Sequence, residues 1–150
     1  MITDIIEESG RAPESGPIEE VVCRFYSENK MNPEQKLTIV FLDDEGIREY
    51  KRQMFGIDEP TDVISMLVEE DFDGEYIWGE IYVSSETALN ESEKRGNSFE
   101  EEIMLYVVHG LFHLIGFDDG TKQDRQNMWD AQLAFLDRCG FSSGSFNGGA

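Results

Sequence analysis

The stretch from Ile103 to Phe117 is apolar almost throughout, and it constrains the fold more than any other part of the chain. Such a stretch predicts a helix that is buried on all sides. The chain's only two histidines, His109 and His113, lie within it. Because they are four residues apart, a helix places both imidazoles on one face. An unpaired buried polar group costs roughly 1–3 kcal/mol, so both rings need partners.

The residues after the second histidine indicate what that partner is. Gly116 stands where the helix should end, and a glycine there takes the left-handed turn that stops a helix. The turn can bring Asp119 back beneath the two imidazoles. A histidine pair alone is a weak signal, because core histidines often only form hydrogen bonds. Two nitrogens, one carboxylate oxygen and an open fourth position are typical of catalytic zinc. The spacing therefore predicts one divalent metal, with zinc expected, held by His109, His113 and Asp119.

The same pattern overlaps the long signature of the zincin metalloproteases. In that signature a glutamate follows the first histidine and serves as the general base. Gly110 occupies this position here. The usual machinery for peptide hydrolysis is therefore missing, and a small metallopeptidase is kept only as an alternative.

The charge of the chain limits its partners. It has 12 basic and 32 acidic residues, a net charge of −20. A broad nucleic-acid surface is normally basic, so we expect no DNA partner and only weak, salt-sensitive affinity for free RNA. A local group of basic residues could still guide RNA. Arg48, Lys51 and Arg52 fall close together and are the predicted substrate-binding residues.

The chain shows no sign of export or of membrane insertion. Cys23 and Cys139 are far apart and belong to no paired motif, which favours free thiols in a reducing compartment. No basic-then-apolar segment predicts a signal peptide, and no apolar run reaches the ~20 residues that span a membrane. We therefore expect a soluble, cytoplasmic protein without a membrane partner.

Helical and strand patterns mix without strict alternation, which predicts an α+β fold with a small mixed sheet packed around the histidine helix. Residues 17–139 should form a single domain, since the length of the chain suits one. We expect residues 1–16 to be poorly ordered and the Gly/Ser-rich residues 140–150 to form a disordered tail. The predicted helices cover 17–29, 45–54, 84–95, 97–115 and 122–138, and the predicted strands cover 37–42, 61–68 and 76–83, with an acidic turn at 69–74.

Two further segments precede the histidine helix: Pro60-Thr61-Asp62-Val63-Ile64-Ser65 and Gly79-Glu80-Ile81-Tyr82-Val83-Ser84. Together with His-Gly-Leu-Phe-His-Leu-Ile-Gly-Phe-Asp-Asp from His109, they resemble the YbeY family of bacterial endoribonucleases over about residues 37–135. The resemblance implies a zinc-dependent endoribonuclease of single-stranded RNA. It also implies a role in maturing the 3′ end of small-subunit ribosomal RNA and in ribosome quality control, with ribosomal RNA and the ribosome or its proteins as partners.

Some positions depart from the family pattern. The family's third histidine is Asp119 here, and a carboxylate is a competent zinc ligand. The family's catalytic arginine falls on Phe55, and the asparagine four residues before it falls on Lys51. Lys51 or Arg52 is the candidate to replace the lost charge, while Met66 replaces a phenylalanine. The missing arginine keeps an alternative open: a ribosome-binding assembly factor with a structural metal and a decayed nuclease activity.

The general base is left open between Asp62, Glu80 and Asp118. Asp62 precedes its predicted strand, where aspartate is also common simply as a turn residue. Glu80 lies in an alternating strand and is equally compatible with a solvated face. A further alternative makes the RNA 2′-hydroxyl the nucleophile, with a metal hydroxide as the base.

Overall fold

The computed structural model describes residues 3–11 and 13–146. Its strands form one four-stranded sheet in the order β1-β2-β4-β3. β1, β2 and β4 run parallel, and β3 pairs antiparallel with β4, so the predicted mixed sheet packed with helices is confirmed. In chain order the elements are β1 (Thr3–Glu7), α1 (Ser15–Glu28), β2 (Lys36–Leu42), α2 (Asp44–Phe55), β3 (Val63–Phe72), β4 (Glu75–Ser84), α3 (Ser85–Arg95), α4 (Phe99–Leu114), α5 (Lys122–Arg138) and a 3-10 helix (Ser143–Phe146).

Two predictions at the chain ends are wrong. The segment predicted to be poorly ordered contributes β1, which pairs with β2 from Thr3 opposite Leu37 to Glu7 opposite Phe41. The predicted tail contains the 3-10 helix, whose Phe146 is only 1% exposed in the main core. The limits predicted for the domain, residues 17–139, widen accordingly, while residues 147–150 of the predicted tail lie outside the described residues.

The hairpin of β3 and β4 is tighter than predicted. Both strands continue through most of the expected acidic turn and meet at Asp73 and Gly74. These two residues have φ angles of 52° and 86°. Positive φ at both central residues is the geometry that two-residue hairpin turns prefer. Glu69, also at positive φ, lies at the register shift between Leu67 and Glu70.

Helix α4 is the predicted buried helix, and it begins at a capping box. The Ser98 hydroxyl accepts a hydrogen bond from the Glu101 amide at 3.1 Å, and the Glu101 carboxylate accepts one from the Ser98 amide at 2.9 Å. The acidic residues Glu100, Glu101 and Glu102 occupy its first turn, where the helix dipole favours negative charge. The cap therefore fixes the start of the helix.

Two glycines bring α4 close to β4. A Cβ added at Gly110 would lie 2.9 Å from the side chain of Ile81, and one at Gly79 would lie 3.0 Å from the side chain of Leu114. A real Cβ essentially never comes as close as the contact at Gly110, and the contact at Gly79 is tighter than most, so a larger residue at either place would force its neighbours to shift. The glycines of the two motifs are thus packing residues that seat the histidine helix.

The sheet has two different faces. Ile81 faces α4, so Glu80 and Tyr82 point to the opposite face because successive side chains in a strand alternate. The α4 face carries the main core, to which α1 and α5 also contribute. The opposite face is covered by α2, where a smaller cluster is centred on Val40 and Ile47.

Two expectations concerned thiols and membranes. Cys23 and Cys139 are free thiols, as the sequence predicts. Among the helices of the described ranges, none combines the length and the apolarity that crossing a membrane would require.

Candidate metal centre

The structure brings the three predicted metal ligands together at the end of α4. The Nε2 atoms of His109 and His113 lie 3.1 Å apart on the same face of the helix. Gly116 then takes a left-handed conformation with φ 109°, and its amide donates to the His113 carbonyl at 3.0 Å. This turn places Oδ2 of Asp119 3.4 Å from Nε2 of His113. The three ligand atoms all lie within 4.8 Å of one another, which suits a single metal ion.

Hydrogen bonds at the far side of each ring fix which nitrogens carry lone pairs. Nδ1 of His109 lies 2.7 Å from Oε1 of Gln132, and Nδ1 of His113 lies 3.0 Å from the carbonyl oxygen of Phe117. Carbonyl oxygens only accept, so each Nδ1 is the donor and a neutral ring leaves its Nε2 unprotonated. The two Nε2 lone pairs then face each other at 3.1 Å and cannot form a hydrogen bond. A cation between them removes this repulsion, so the residues present fit a divalent metal.

The electrostatics of the centre keep it ready for a metal. Burial lowers the pKa of the His109 imidazole, and the hydrogen bond with Gln132 and the charges of Asp62 and Asp119 oppose this lowering. A neutral imidazole is the form that binds metals. The side chains of His113 and Asp119 are 26% and 50% exposed. The centre therefore opens to solvent on the side of Asp119, where a substrate can approach.

Comparisons with known proteins identify the family. The family model described as Endoribonuclease YbeY matches residues 12–140. The chain belongs to the YbeY endoribonuclease family. The Endoribonuclease YbeY of Bacillus licheniformis is 31% identical over 156 aligned residues, which cover 97% of this chain and 99% of the relative. That of Bacillus thuringiensis is 30% identical over 151 residues, covering 93% and 97%.

A solved structure shows the same fold. The solution structure of TM1509 from Thermotoga maritima matches with a TM-score of 0.63 and covers 91% of this chain and 89% of that protein. At 23% identity, this likeness bears on the fold alone. The membership that the three sequence motifs suggested is thus confirmed by the YbeY family model and by the relatives.

Helix α5 supplies two contacts that sequence reasoning missed. Gln132, only 2% exposed, meets His109 as described. Arg125 donates from Nη1 to the Asp119 carbonyl at 3.3 Å. For Gln132 a signal existed, because it lies four residues from Met128 and from Leu136, on the apolar stripe of α5. A polar residue at such a position needs a partner in the core.

The three candidate bases lie in different places. Asp62 accepts a hydrogen bond from the Val63 amide at 2.8 Å, and its charge acts on the pKa values of His109 and Tyr106, two side chains of α4, so it lies near that helix. Asp118 accepts a hydrogen bond from the Asp119 amide at 2.7 Å. It also lines a surface pocket of about 310 Å³ formed by the loop after α4 and the start of α5. Glu80 lies on the opposite face of the sheet, because strand alternation turns it away from α4. It is not brought to the centre.

The three predicted substrate-binding residues are already paired with acids. They lie on α2, and the positive charge of each is matched by a nearby carboxylate. They therefore do not form an uncompensated basic surface. The pairs are Arg48 Nε with Asp58 Oδ1 at 2.6 Å, Lys51 Nζ with Glu59 Oε1 at 3.1 Å, and Arg52 Nε with Glu49 Oε2 at 2.9 Å.

Proposed function

We propose that this chain is a zinc-dependent endoribonuclease that cuts single-stranded RNA. One observation carries the proposal: two opposed imidazole lone pairs and one carboxylate converge in a chain of the YbeY endoribonuclease family. Three protein ligands with an open position suit a catalytic ion rather than a structural one. The exposed side of Asp119 leaves room for a phosphodiester to reach that position.

The residues divide the work as follows. A zinc ion held by His109, His113 and Asp119 would supply Lewis acidity toward a phosphoryl oxygen and lower the pKa of water. Asp62 serves as the general base, since its carboxylate lies on the side of the histidines and is solvent-exposed. Asp118 is the second choice, because the carboxylates whose charges act on the pKa of His109 are those of Asp62 and Asp119. The nucleophile is either water or the RNA 2′-hydroxyl, and the latter would leave a 2′,3′-cyclic phosphate.

The biological setting follows from the family resemblance and from charge. The RNA is ribosomal, the process is maturation of the small-subunit RNA together with ribosome quality control, and the compartment is the cytoplasm. A net charge of −20 disfavours free RNA but favours contact with ribosomal proteins, which are basic. Docking on such proteins would bring the metal centre to its RNA.

A cleavage assay with matched carboxylate variants tests the function. The zinc-loaded chain should cut single-stranded RNA, chelation should stop the cleavage, and zinc should restore it. Asp62→Asn should lower the rate by about 100-fold, in the range of a lost general base. Glu80→Gln removes the same charge from the opposite face and should leave the rate unchanged. Equal losses in both variants would contradict the role of Asp62, and metal-independent cleavage would contradict the proposal.

A second candidate function is a ribosome-binding assembly factor without nuclease activity. The observation that favours it is Phe55, which is 49% exposed where the family carries its arginine. Bound zinc, ribosome binding and no cleavage of any RNA would support this candidate. The metallopeptidase alternative is disfavoured, because Gly110 packs directly against Ile81 and no carboxylate fits there. A peptide library in the same assay checks that point.

A further inference from the structure

We propose that Arg125 binds a phosphate of single-stranded RNA beside the metal centre. The inference rests on the proposed function and names its substrate contact. Acidic residues outnumber basic ones 32 to 12 in the chain. A cation that is free to meet RNA is therefore scarce.

Most of the lysines and arginines are already held by carboxylates. Ion pairs within 4.0 Å engage each of the three basic residues of α2 and also cations of α1, α3 and α5. Within residues 3–11 and 13–146, the Arg125 side chain has no carboxylate at that distance, and its one hydrogen bond is to a backbone carbonyl. A phosphate can therefore bind its guanidinium without displacing an acidic side chain.

The position of Arg125 adds to the argument. Its Nη1 lies 3.3 Å from the carbonyl oxygen of Asp119, the residue whose side chain completes the candidate ligand set. That bond holds the guanidinium at the side from which the centre opens to solvent, because the Asp119 side chain is half exposed. A guanidinium has five N–H donors in a planar fork, so the remaining donors can take two phosphate oxygens.

The start of α5 adds a second cation and the helix dipole there. Lys122 is three residues before Arg125 and so lies on the same side of the helix. In the described part of the chain it too lacks an acidic partner within ion-pair distance. Both residues occur in the first turns of α5, where the partial positive charge of the helix dipole adds to theirs. Asp118 and Asp124 are close by in sequence, and their negative charges repel a phosphate. Phosphate binding at this place therefore depends on Arg125.

Salt-dependent binding separates a phosphate contact from a structural role. A short, labelled oligouridylate with 2′-O-methyl groups would be titrated with zinc-loaded chain at several salt concentrations, and its integrity checked afterwards. Each phosphate contact on a single strand contributes about 0.7 to the slope of log K against log salt. Arg125→Gln should lower the magnitude of the slope by about 0.7 and weaken binding several-fold at low salt, with the zinc content unchanged. Arg125→Lys should keep most of the slope.

Arg24→Gln is the matched control, since it removes the same charge from an arginine of α1 that is paired with Glu28. It should leave the slope unchanged. An equal change of slope in Arg24→Gln and Arg125→Gln, or no change in Arg125→Gln while the parent chain binds RNA, would overturn the contact but leave the proposed function standing. No RNA binding by the parent chain at any salt concentration would remove the proposed function, and the contact with it.

Discussion

The two sides of the sheet treat charge in opposite ways. On the α4 side, two imidazoles turn unprotonated nitrogens toward each other, and Arg125 is left without a carboxylate among the described residues. On the α2 side, Arg48, Lys51 and Arg52 each have an acidic partner, although they form the densest basic group in the sequence. The side with the densest basic group is therefore not the side with unsatisfied binding capacity.

The comparison shows that charge in the sequence differs from charge available to a ligand. A surface cation that is paired with a carboxylate must break that ion pair before it binds a phosphate. Breaking the pair reduces the free energy gained from the phosphate contact. Arg125, next to the candidate metal centre, has no such competitor among the described residues. The comparison is tested by variants that free the paired cations of α2, and by variants that remove metal ligands or their partners on the α4 side.

The largest effect should come from a metal ligand. His113→Ala leaves two ligands, and we expect at least a 100-fold loss of zinc affinity, because structural zinc sites bind with about 10–16 kcal/mol shared among their ligands. Calorimetry or competition with a chelating dye measures the change. Glu80→Gln on the other face should retain full affinity. Stoichiometric zinc in His113→Ala would show that the centre is elsewhere.

The next largest effect should come from Gln132. Gln132→Met keeps the shape but removes the acceptor, so His109 can move its proton to Nε2 and donate to His113. Zinc affinity should fall by about 10–100-fold, as for other partners of metal-binding histidines. Gln132→Glu, which retains an acceptor, should restore affinity.

The tautomer itself can be measured in the metal-free chain. Nitrogen-15 spectra of only two histidines are readily assigned, and the His109 proton should be on Nδ1 in the parent chain and on Nε2 in Gln132→Met. Unchanged tautomers and unchanged affinity would mean that Gln132 only fills space.

The parts of this architecture that the sequence predicted are local in origin. The length of the apolar stretch identified α4. The four-residue spacing put His109 and His113 on one face, and the turn at Gly116 brought Asp119 to them. Each of these signals acts within a few turns of chain. The contacts of Gln132 and Arg125 depend on how α5 docks onto α4, which no local pattern specifies.

The errors at the ends and on α2 share that cause. β1 forms because β2 offers it a neighbour, and Phe146 is buried because the main core receives it. The basic group of α2 looked free because Asp58 and Glu59, in the loop after α2, pair with it only in the folded chain. The sequence does not show which face of the sheet Glu80 lies on. The contact of Ile81 with Gly110 of α4 places the neighbouring Glu80 on the opposite face, away from the histidines.

Packing on the α4 side predicts an effect on stability. Gly110→Ala should destabilise the fold by about 1–3 kcal/mol, because the added methyl would overlap Ile81. Gly16→Ala, in the first turn of α1, meets no atom within 4 Å and should be neutral or slightly stabilising. Urea unfolding of both variants measures the difference. Equal midpoints would mean that α4 can shift at no cost.

The family arginine can be restored at Phe55, the last residue of α2, from which the loop leads to Asp62 and β3. Phe55→Arg places an exposed cation at the position where the family pattern has its arginine. A charged hydrogen bond to phosphate strengthens as charge develops in the transition state. Single-strand cleavage should rise about tenfold, or roughly 1.4 kcal/mol. The assay belongs at low salt, since screening would hide the gain. No cleavage in either form, with zinc bound, would favour the assembly-factor function.

The smallest effect should come from freeing the basic group of α2. Asp58→Asn with Glu59→Gln releases Arg48 and Lys51 from their acidic partners while leaving both cations in place. Affinity for single-stranded RNA should rise only a few-fold, because exposed ion pairs are weak and salt screens the gain. Glu70→Gln with Asp71→Asn, in the β3–β4 hairpin, makes the same change in net charge and is the control. If both double variants improve binding equally, total charge decides the affinity. If only the first does, the ion pairs are what keep α2 from binding RNA.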